Sequence, residues 1–160
     1  AGCGAIAIPC NTAHAWFQPM AEAAGIPILH IIDAAATDLH RIGVARGTIG
    51  VMGTQATLAM RLYQERLDSQ GWQCITPDQS QMERLVSPAI ALVKANRVAE
   101  AYAPLAEVVN ALATRGAQAV VLGCTEIPLG IQAGPQAPLR VPVVDTIDAL
   151  ARAAIAWARG

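Results

Sequence analysis

AGCGAIAIPCNTAH, residues 1–14, decides the fold together with a similar stretch later in the chain, RGAQAVVLGCT at residues 115–125. When the two are laid in register, Cys10 falls on Cys124, and each cysteine follows a short apolar run. Such a run, ended by a thiol and small polar residues, is typical of a buried parallel strand. The sequence therefore predicts two equivalent cysteines at the carboxyl ends of two parallel strands.

The position of the two thiols favours one kind of chemistry. Ligands of open α/β sheets bind outside the carboxyl ends of the strands, so two such ends can face one cleft. Two opposed acid/base groups suit a reaction between mirror images, because one removes a proton from one face and the other returns it to the opposite face. The alternative is that each cysteine is a small core residue. The helix that follows each strand is expected to lower the thiol pKa from about 8.5 toward neutrality.

Composition excludes several other classes of protein. The chain has 160 residues, of which 54% are hydrophobic and 14% charged, so it can bury a core and is too apolar for disorder. A net charge of −1 leaves no basic surface for nucleic acid or an anionic membrane. No apolar run reaches the roughly 18 residues of a membrane-spanning helix. The four cysteines lack metal-binding spacing, so neither a metal site nor a disulfide framework is expected, and a reducing cytoplasm is the expected compartment.

Apolar runs alternate with segments of helical period along the chain, which predicts a parallel α/β sheet. The second strand is expected at PILHII, residues 27–32, with Asp33 capping the next helix. Further expectations are a helix over 55–70, a helix break or kink at Ser87 and Pro88, a loop over 130–138 and a closing helix over 147–159.

Two motifs carry a resemblance to a known family. P-C-N-T-A-H at Pro9–His14 and G-C-T-E-I-P-L at Gly123–Leu129 resemble the signature motifs of the aspartate/glutamate racemase family. The intervening TIGVMGT and the closing VPVVDT also agree, and the resemblance covers essentially residues 1–160. Glutamate racemases usually carry a histidine where this chain has Glu126, so the chain resembles the aspartate and broad-specificity branch. Arylmalonate decarboxylases keep only the second cysteine, and Cys10 argues against them.

The resemblance implies a cofactor-independent transfer of one proton, in which Cys10 and Cys124 exchange the roles of base and acid. It implies a small amino-acid substrate, most directly aspartate, no cofactor or metal, no nucleic-acid or membrane partner, and a homodimer. The α-carboxylate of the substrate would be bound by Asn11, Thr12, Thr54 and Thr125, and a side-chain carboxylate by Lys94. Glu126 would bind the ammonium group or the Cys124 proton. His14 would support the protonation pattern of the cleft. The alternative reading of these residues is helix capping or exposure to solvent.

The family fold implies two pseudo-symmetric α/β subdomains, the first of them truncated here. Residues 1–45 would be the remnant of the first, residues 46–145 the second, and residues 146–160 a closing helix that packs back toward the first. The Gly-rich turn and the substrate-binding arginine at the front of family members are not in this sequence, so an amino-terminal part is expected to be missing. Two alternatives stay open: a truncated, non-catalytic carboxylate-binding member, or a racemase or isomerase of another carboxylate such as a hydantoin or maleate.

Overall fold

The computed structural model describes residues 2–134 and 139–160, in which strands and helices alternate. The strands are β1 (Ile6–Ala7), β2 (Ile28–Leu29), β3 (Gly47–Gly53), β4 (Trp72–Ile75), β5 (Val120–Gly123) and β6 (Val143–Asp145). The α-helices are α1 (Phe17–Ala24), α2 (Ile31–Arg41), α3 (Gln55–Ala59), α4 (Leu62–Asp68), α5 (Gln79–Gln81), α6 (Ser87–Lys94), α7 (Tyr102–Thr114), α8 (Glu126–Gln132) and α9 (Thr146–Ala158). A 3-10 turn precedes α1 (Thr12–Trp16) and another precedes α7 (Val98–Ala101), while a π-helical turn (Met82–Val86) joins α5 to α6.

All strand pairs among the described residues are parallel, which confirms the predicted fold class. Strands β1 and β2 form a two-stranded sheet, and the other four form a sheet in the order β4-β3-β5-β6. In the centre of the larger sheet, Val51 of β3 lies opposite Val121 of β5, and Gly53 lies opposite Gly123. The carboxyl ends of β3 and β5 therefore lie side by side.

Helices cover both faces of the larger sheet, which explains why its central strands are apolar throughout. Successive residues of a strand point to opposite faces. Val51 accordingly packs in the cluster formed with α2, α4 and α9, and the next residue, Met52, packs in the cluster formed with α6 and α7. No helix among the described residues is long and apolar enough to cross a membrane.

Helix α9 packs along α2, and a buried carboxylate joins the two. Asp38 of α2 is 3% exposed and accepts a hydrogen bond from Arg152 of α9 over 3.0 Å. Arg41, one turn further along α2, donates to the same carboxylate over 3.0 Å. Two guanidinium groups thus compensate the buried charge.

The prediction of a strand over residues 27–32 is wrong in its second half. Strand β2 ends at Leu29, and helix α2 begins at Ile31 rather than after Asp33. Two histidine rings bind the free N–H groups of this helix start: His14 Nε2 accepts from Ile31 N over 3.2 Å, and His30 Nδ1 accepts from Ile32 N over 3.2 Å. Since the first N–H groups of a helix lack partners within it, these rings stabilise an early start.

Three further helix segments differ in detail from the expectation. The helix predicted over 55–70 is divided into α3 and α4, because Arg61 adopts a left-handed backbone with φ of 53°. The helix is not broken at Pro88; instead a wider π-helical turn, Met82–Val86, directly precedes Ser87 and relieves the clash of the proline ring with the preceding turn. Such a turn is a known site of helix kinks, which was the other expectation for this position. The loop expected over 130–138 begins later, because α8 continues to Gln132, and residues 135–138 lie outside the described part of the chain.

Candidate functional site

One cavity of about 170 Å³ lies beyond the carboxyl ends of β1, β3 and β5, and both predicted cysteines line it. The lining residues come from three segments: Pro9, Cys10, Asn11 and Thr12 after β1; Thr54 and Thr57 after β3; Gly123, Cys124, Thr125 and Glu126 at the end of β5. The two cysteine motifs, which are more than a hundred positions apart in the sequence, thus meet at one cavity.

The first wall carries Cys10, whose side chain is exposed. Behind it, His14 is buried and its Nδ1 lies 2.9 Å from the Cys10 carbonyl oxygen. Because His14 Nε2 accepts a hydrogen bond from Ile31 N–H, the ring hydrogen resides on Nδ1 and is donated to that carbonyl. Burial lowers the pKa of His14, so the ring is neutral and both its nitrogens are bonded within the protein. His14 therefore holds the backbone of Cys10 and does not line the cavity.

Asn11 also lines the cavity, but its side chain is buried at 3% exposure. Its Oδ1 accepts a hydrogen bond from the Tyr63 hydroxyl, and its Nδ2 donates to Thr146 Oγ1 over 3.3 Å. Each end of the amide thus has a partner within the protein.

The second wall carries Cys124 and Glu126. The buried Cys124 thiol donates to Glu126 Oε2 over 3.0 Å, and the Thr125 hydroxyl donates to the same oxygen over 2.8 Å. Lys94 Nζ, from the end of α6, lies 3.6 Å from the other carboxylate oxygen. Burial acts to raise the pKa of Glu126, but the bonds from Cys124 and Thr125 outweigh it and keep the pKa below its usual value. Glu126 is therefore a carboxylate at neutral pH.

The expectation that a helix start lowers the thiol pKa is wrong for Cys124. Burial of the thiol, followed by its hydrogen bond to Glu126, raises the pKa of Cys124 to about 12. The backbone N–H groups of Glu126 and Ile127 act in the opposite direction, as the helix start predicts, but they are the weaker influence. Cys124 is consequently a protonated thiol at neutral pH.

Three threonine hydroxyls form a chain along the third side of the cavity. Thr57 Oγ1 lies 2.8 Å from Thr12 Oγ1 and 2.9 Å from Thr54 Oγ1, and Thr54 also caps α3 by accepting from Thr57 N over 3.2 Å. A hydroxyl both donates and accepts, so the chain can reorient toward a bound anion. Sequence reasoning named Thr12 and Thr54 but missed Thr57, although its position three residues after a capping threonine is a recognisable signal.

The structure thus brings together seven of the nine predicted site residues at the cavity: Cys10, Asn11, Thr12, Thr54, Cys124, Thr125 and Glu126. Lys94 reaches this group through Glu126, with 62% of its side chain exposed. His14 lies behind Cys10. Within the described residues, no group of His, Cys, Asp and Glu side chains is arranged to hold a metal ion.

A larger cavity of about 440 Å³ lies on the other side of His14, lined among others by Phe17, His30 and Arg66. Arg66 is already paired with Asp33 at 2.5 Å, and His30 accepts a backbone N–H. Arg66 and His30 are therefore both bonded within the protein. We place the candidate site at the smaller cavity because both cysteines share it.

Comparison with known proteins agrees with the resemblance that the two cysteine motifs carry. The family model described as Asp/Glu/Hydantoin racemase matches residues 1–154. The broad specificity amino-acid racemase RacX of Bacillus subtilis (strain 168) is 25% identical over 150 residues, which are 94% of this chain and 63% of that protein.

Two solved structures share the fold. A crystal structure of an aspartate racemase homologue from Pyrococcus horikoshii OT3 has a TM-score of 0.83 and 26% identity, with 99% of this chain and 68% of that chain covered. The aspartate racemase of Picrophilus torridus has a TM-score of 0.74 and 29% identity, with 98% of this chain and 63% of that chain covered. This chain therefore spans about two thirds of the length of each of these three proteins.

Proposed function

This chain belongs to the Asp/Glu/Hydantoin racemase family, and on that premise we propose that the full-length protein is a cofactor-independent amino-acid racemase. Aspartate is the substrate we favour, and Cys10 and Cys124 are the residues that move the proton. The observation that carries the proposal is the single cavity of about 170 Å³ lined by both cysteines. A homodimer, which the family resemblance implies, is part of the same proposal.

The proton transfer needs one base and one acid in the resting enzyme. Cys124 supplies the acid, because its raised pKa of about 12 keeps it protonated. Cys10, whose side chain is exposed, supplies the thiolate base for the substrate enantiomer whose α-hydrogen faces it. The C–H bond breaks with its electron pair left on the α-carbon, and a new C–H bond forms on the opposite face with the Cys124 proton. The reverse direction exchanges these two roles.

Glu126 is proposed to govern the Cys124 proton. Once Cys124 has given up its proton, its thiolate lies 3.0 Å from the oxygen of a carboxylate. Two negative charges at that distance repel each other, so the thiolate is strongly basic. This basicity suits Cys124 for removing the α-hydrogen of the opposite enantiomer.

The negative charge that develops on the substrate during the transfer spreads onto its α-carboxylate. The Thr12, Thr54 and Thr57 hydroxyls lie along one side of the cavity, and Thr125 lies beside Cys124. We assign these groups, with the backbone N–H groups of the same loops, to the carboxylate, where they stabilise the charge as it forms.

Three observations support aspartate, a small amino acid with a second carboxylate, as the substrate. The cavity of about 170 Å³ is smaller than the roughly 300–1,000 Å³ of pockets for drug-sized ligands. Lys94, an exposed cation paired with Glu126, is assigned to a second carboxylate of the substrate, as the family resemblance implies. Two of the similar proteins are also described as an aspartate racemase or its homologue.

The experiment uses four serine substitutions in the full-length protein. Cys10→Ser and Cys124→Ser should each reduce racemisation of aspartate by at least about a hundredfold, because a serine hydroxyl is too weak an acid to replace either thiol. Cys3→Ser and Cys74→Ser are the matched controls, since neither residue lines the cavity, and should keep wild-type turnover. Near-normal turnover in either of the first two variants would overturn the mechanism. Turnover of glutamate or a hydantoin in place of aspartate would reject the substrate but keep the two-thiol chemistry.

A further inference from the structure

A buried chain of hydrogen bonds runs from Tyr63 of α4 to the end of strand β5. The Tyr63 hydroxyl donates to Asn11 Oδ1, Asn11 Nδ2 donates to Thr146 Oγ1 over 3.3 Å, and Thr146 Oγ1 donates to the Leu122 carbonyl over 3.0 Å. Tyr63 and Thr146 are fully buried, and Asn11 is 3% exposed. The chain therefore lies away from solvent, where hydrogen bonds are strong and unpaired groups are costly.

Both cysteine motifs are attached to this chain. Asn11 directly follows Cys10, and Leu122 stands two positions before Cys124. The aromatic ring of Tyr63 also packs against the second motif, because a Cβ atom at Gly123 would lie 3.0 Å from Tyr63 Cε2. Tyr63 thus contacts the residue after one catalytic cysteine and the residue before the other.

The backbone explains why glycine stands at position 123. A Cβ atom at position 123 would also lie 3.1 Å from the Met52 carbonyl oxygen, so strand β5 is confined between β3 and the tyrosine ring. The ring therefore fixes β5 from one side, while its hydroxyl fixes the loop that carries Cys10.

We propose that Tyr63 is a positioning residue, which sets the separation of the Cys10 and Cys124 thiols across the cavity through Asn11 and Gly123. The inference rests on the proposed racemase function. It also gives the Asn11 side chain a structural task in place of the substrate contact that the family resemblance implies, while the residue itself still lines the cavity.

Two-thiol chemistry depends closely on the separation of the Cys10 and Cys124 sulfur atoms. Both sulfur atoms must reach the same α-carbon from opposite faces, so an error in their spacing cannot be corrected by shifting the substrate toward one of them. A displacement of about 1 Å in a catalytic group can cost on the order of a hundredfold in rate. The hydroxyl of Tyr63 is therefore expected to affect turnover without touching the substrate.

The test is Tyr63→Phe in the full-length protein, which keeps the ring against Gly123 and removes only the hydroxyl. We expect kcat for aspartate to fall by about 10- to 100-fold, with a much smaller change in KM, because the substrate's carboxylate ligands are untouched. The control is Tyr102→Phe, which removes the hydroxyl of the other tyrosine, on α7, and should leave kcat unchanged.

A second readout does not depend on activity. In a Cys3→Ser, Cys74→Ser background, a short bifunctional thiol reagent such as dibromobimane should link Cys10 to Cys124. Tyr63→Phe should slow this linkage several-fold while the melting temperature shows the protein still folded, and Tyr102→Phe should not. If Tyr63→Phe does not fold, Thr146→Val interrupts the same chain at its other end and should give the same slower linkage.

The outcomes separate the two proposals. A folded Tyr63→Phe protein with wild-type kcat and wild-type linkage would overturn the positioning role, whatever the wild type catalyses. Slower linkage in Tyr63→Phe, together with a wild type that racemises no amino acid, would keep the positioning role and reject the proposed function.

Discussion

Replacing Glu126 with glutamine should make Cys124 a stronger acid. The Cys124 thiol donates to Glu126 Oε2 over 3.0 Å, and burial together with this carboxylate raises the pKa of Cys124 to about 12. Glutamine keeps an acceptor oxygen of similar position but removes the negative charge that opposes the thiolate. The pKa of Cys124 should therefore fall in the Glu126→Gln protein, although burial will still hold it above its ordinary value.

The size of the change follows from the distance. Two unit charges 3.0 Å apart repel each other by about 1.4 kcal/mol even at the dielectric constant of water, and by more inside a protein. Since about 1.36 kcal/mol corresponds to one pKa unit, the pKa should fall by at least about one unit. The thiolate fraction at a fixed pH below the pKa then rises about tenfold. Because a less basic thiolate is also less nucleophilic, part of this gain is lost. Alkylation at that pH should therefore become roughly threefold faster.

Alkylation by iodoacetamide across a pH series measures this change directly. The protein should carry Cys3→Ser, Cys10→Ser and Cys74→Ser, so that Cys124 is the sole thiol. Glu100→Gln is the matched control, because Glu100 is a surface carboxylate whose partner is Arg97, and it should leave the alkylation profile unchanged. A Cys124 pKa that stays the same or rises in Glu126→Gln would refute the assignment of Glu126 as the group that governs this proton.

Two further predictions concern stability. Burial, with smaller effects of Arg66 and His14, lowers the pKa of His30 from 6.5 to about 4, and burial also lowers that of His14. The unfolded chain therefore binds more protons than the folded one between these values. The free energy of unfolding should decrease as the pH falls from about 6.5 to about 4, which urea titrations at several pH values would measure. A free energy of unfolding that stays constant over this range would contradict the prediction. Asp38→Asn should destabilise the protein by about 1–3 kcal/mol, because Arg152 and Arg41 lose a charged acceptor, and a loss below about 0.5 kcal/mol would count against this reading.

The site could be predicted because its main residues are marked locally. Cys10 and Cys124 each follow a short apolar run, and in parallel sheets the ends of such runs meet at one edge. Thr12 and Thr125 lie within two positions of the cysteines, so the prediction of the cysteines also places these threonines at the site. Local sequence was sufficient for this part, because strand ends and the turns after them are set within a few residues.

The second strand was misjudged because apolar residues alone do not distinguish a buried strand from a buried helix start. Ile31 and Ile32 are apolar in either case. The helix begins early because His14, seventeen positions away, accepts the Ile31 N–H, and His30 accepts the next one. A partner at that distance cannot be recognised from the pattern of the segment itself.

The supporting residues were missed for the same reason. Tyr63 looks like an ordinary core residue on an amphipathic helix, and its bond to Asn11 joins positions 52 apart. The pKa of Cys124 was misjudged because the sequence does not show that burial of the thiol and its hydrogen bond to Glu126 outweigh the N–H groups of the helix start.

The most direct test of the central claim is the origin of the hydrogen on the product. L-Aspartate should be incubated with the full-length protein in heavy water, without added cofactor, and the D-aspartate examined for deuterium at the α-carbon. Thiol protons exchange rapidly with solvent, so proton transfer through Cys10 and Cys124 predicts D-aspartate that carries solvent deuterium. The absence of any D-aspartate would reject aspartate as the substrate, and D-aspartate that retains the original hydrogen would contradict the two-thiol account.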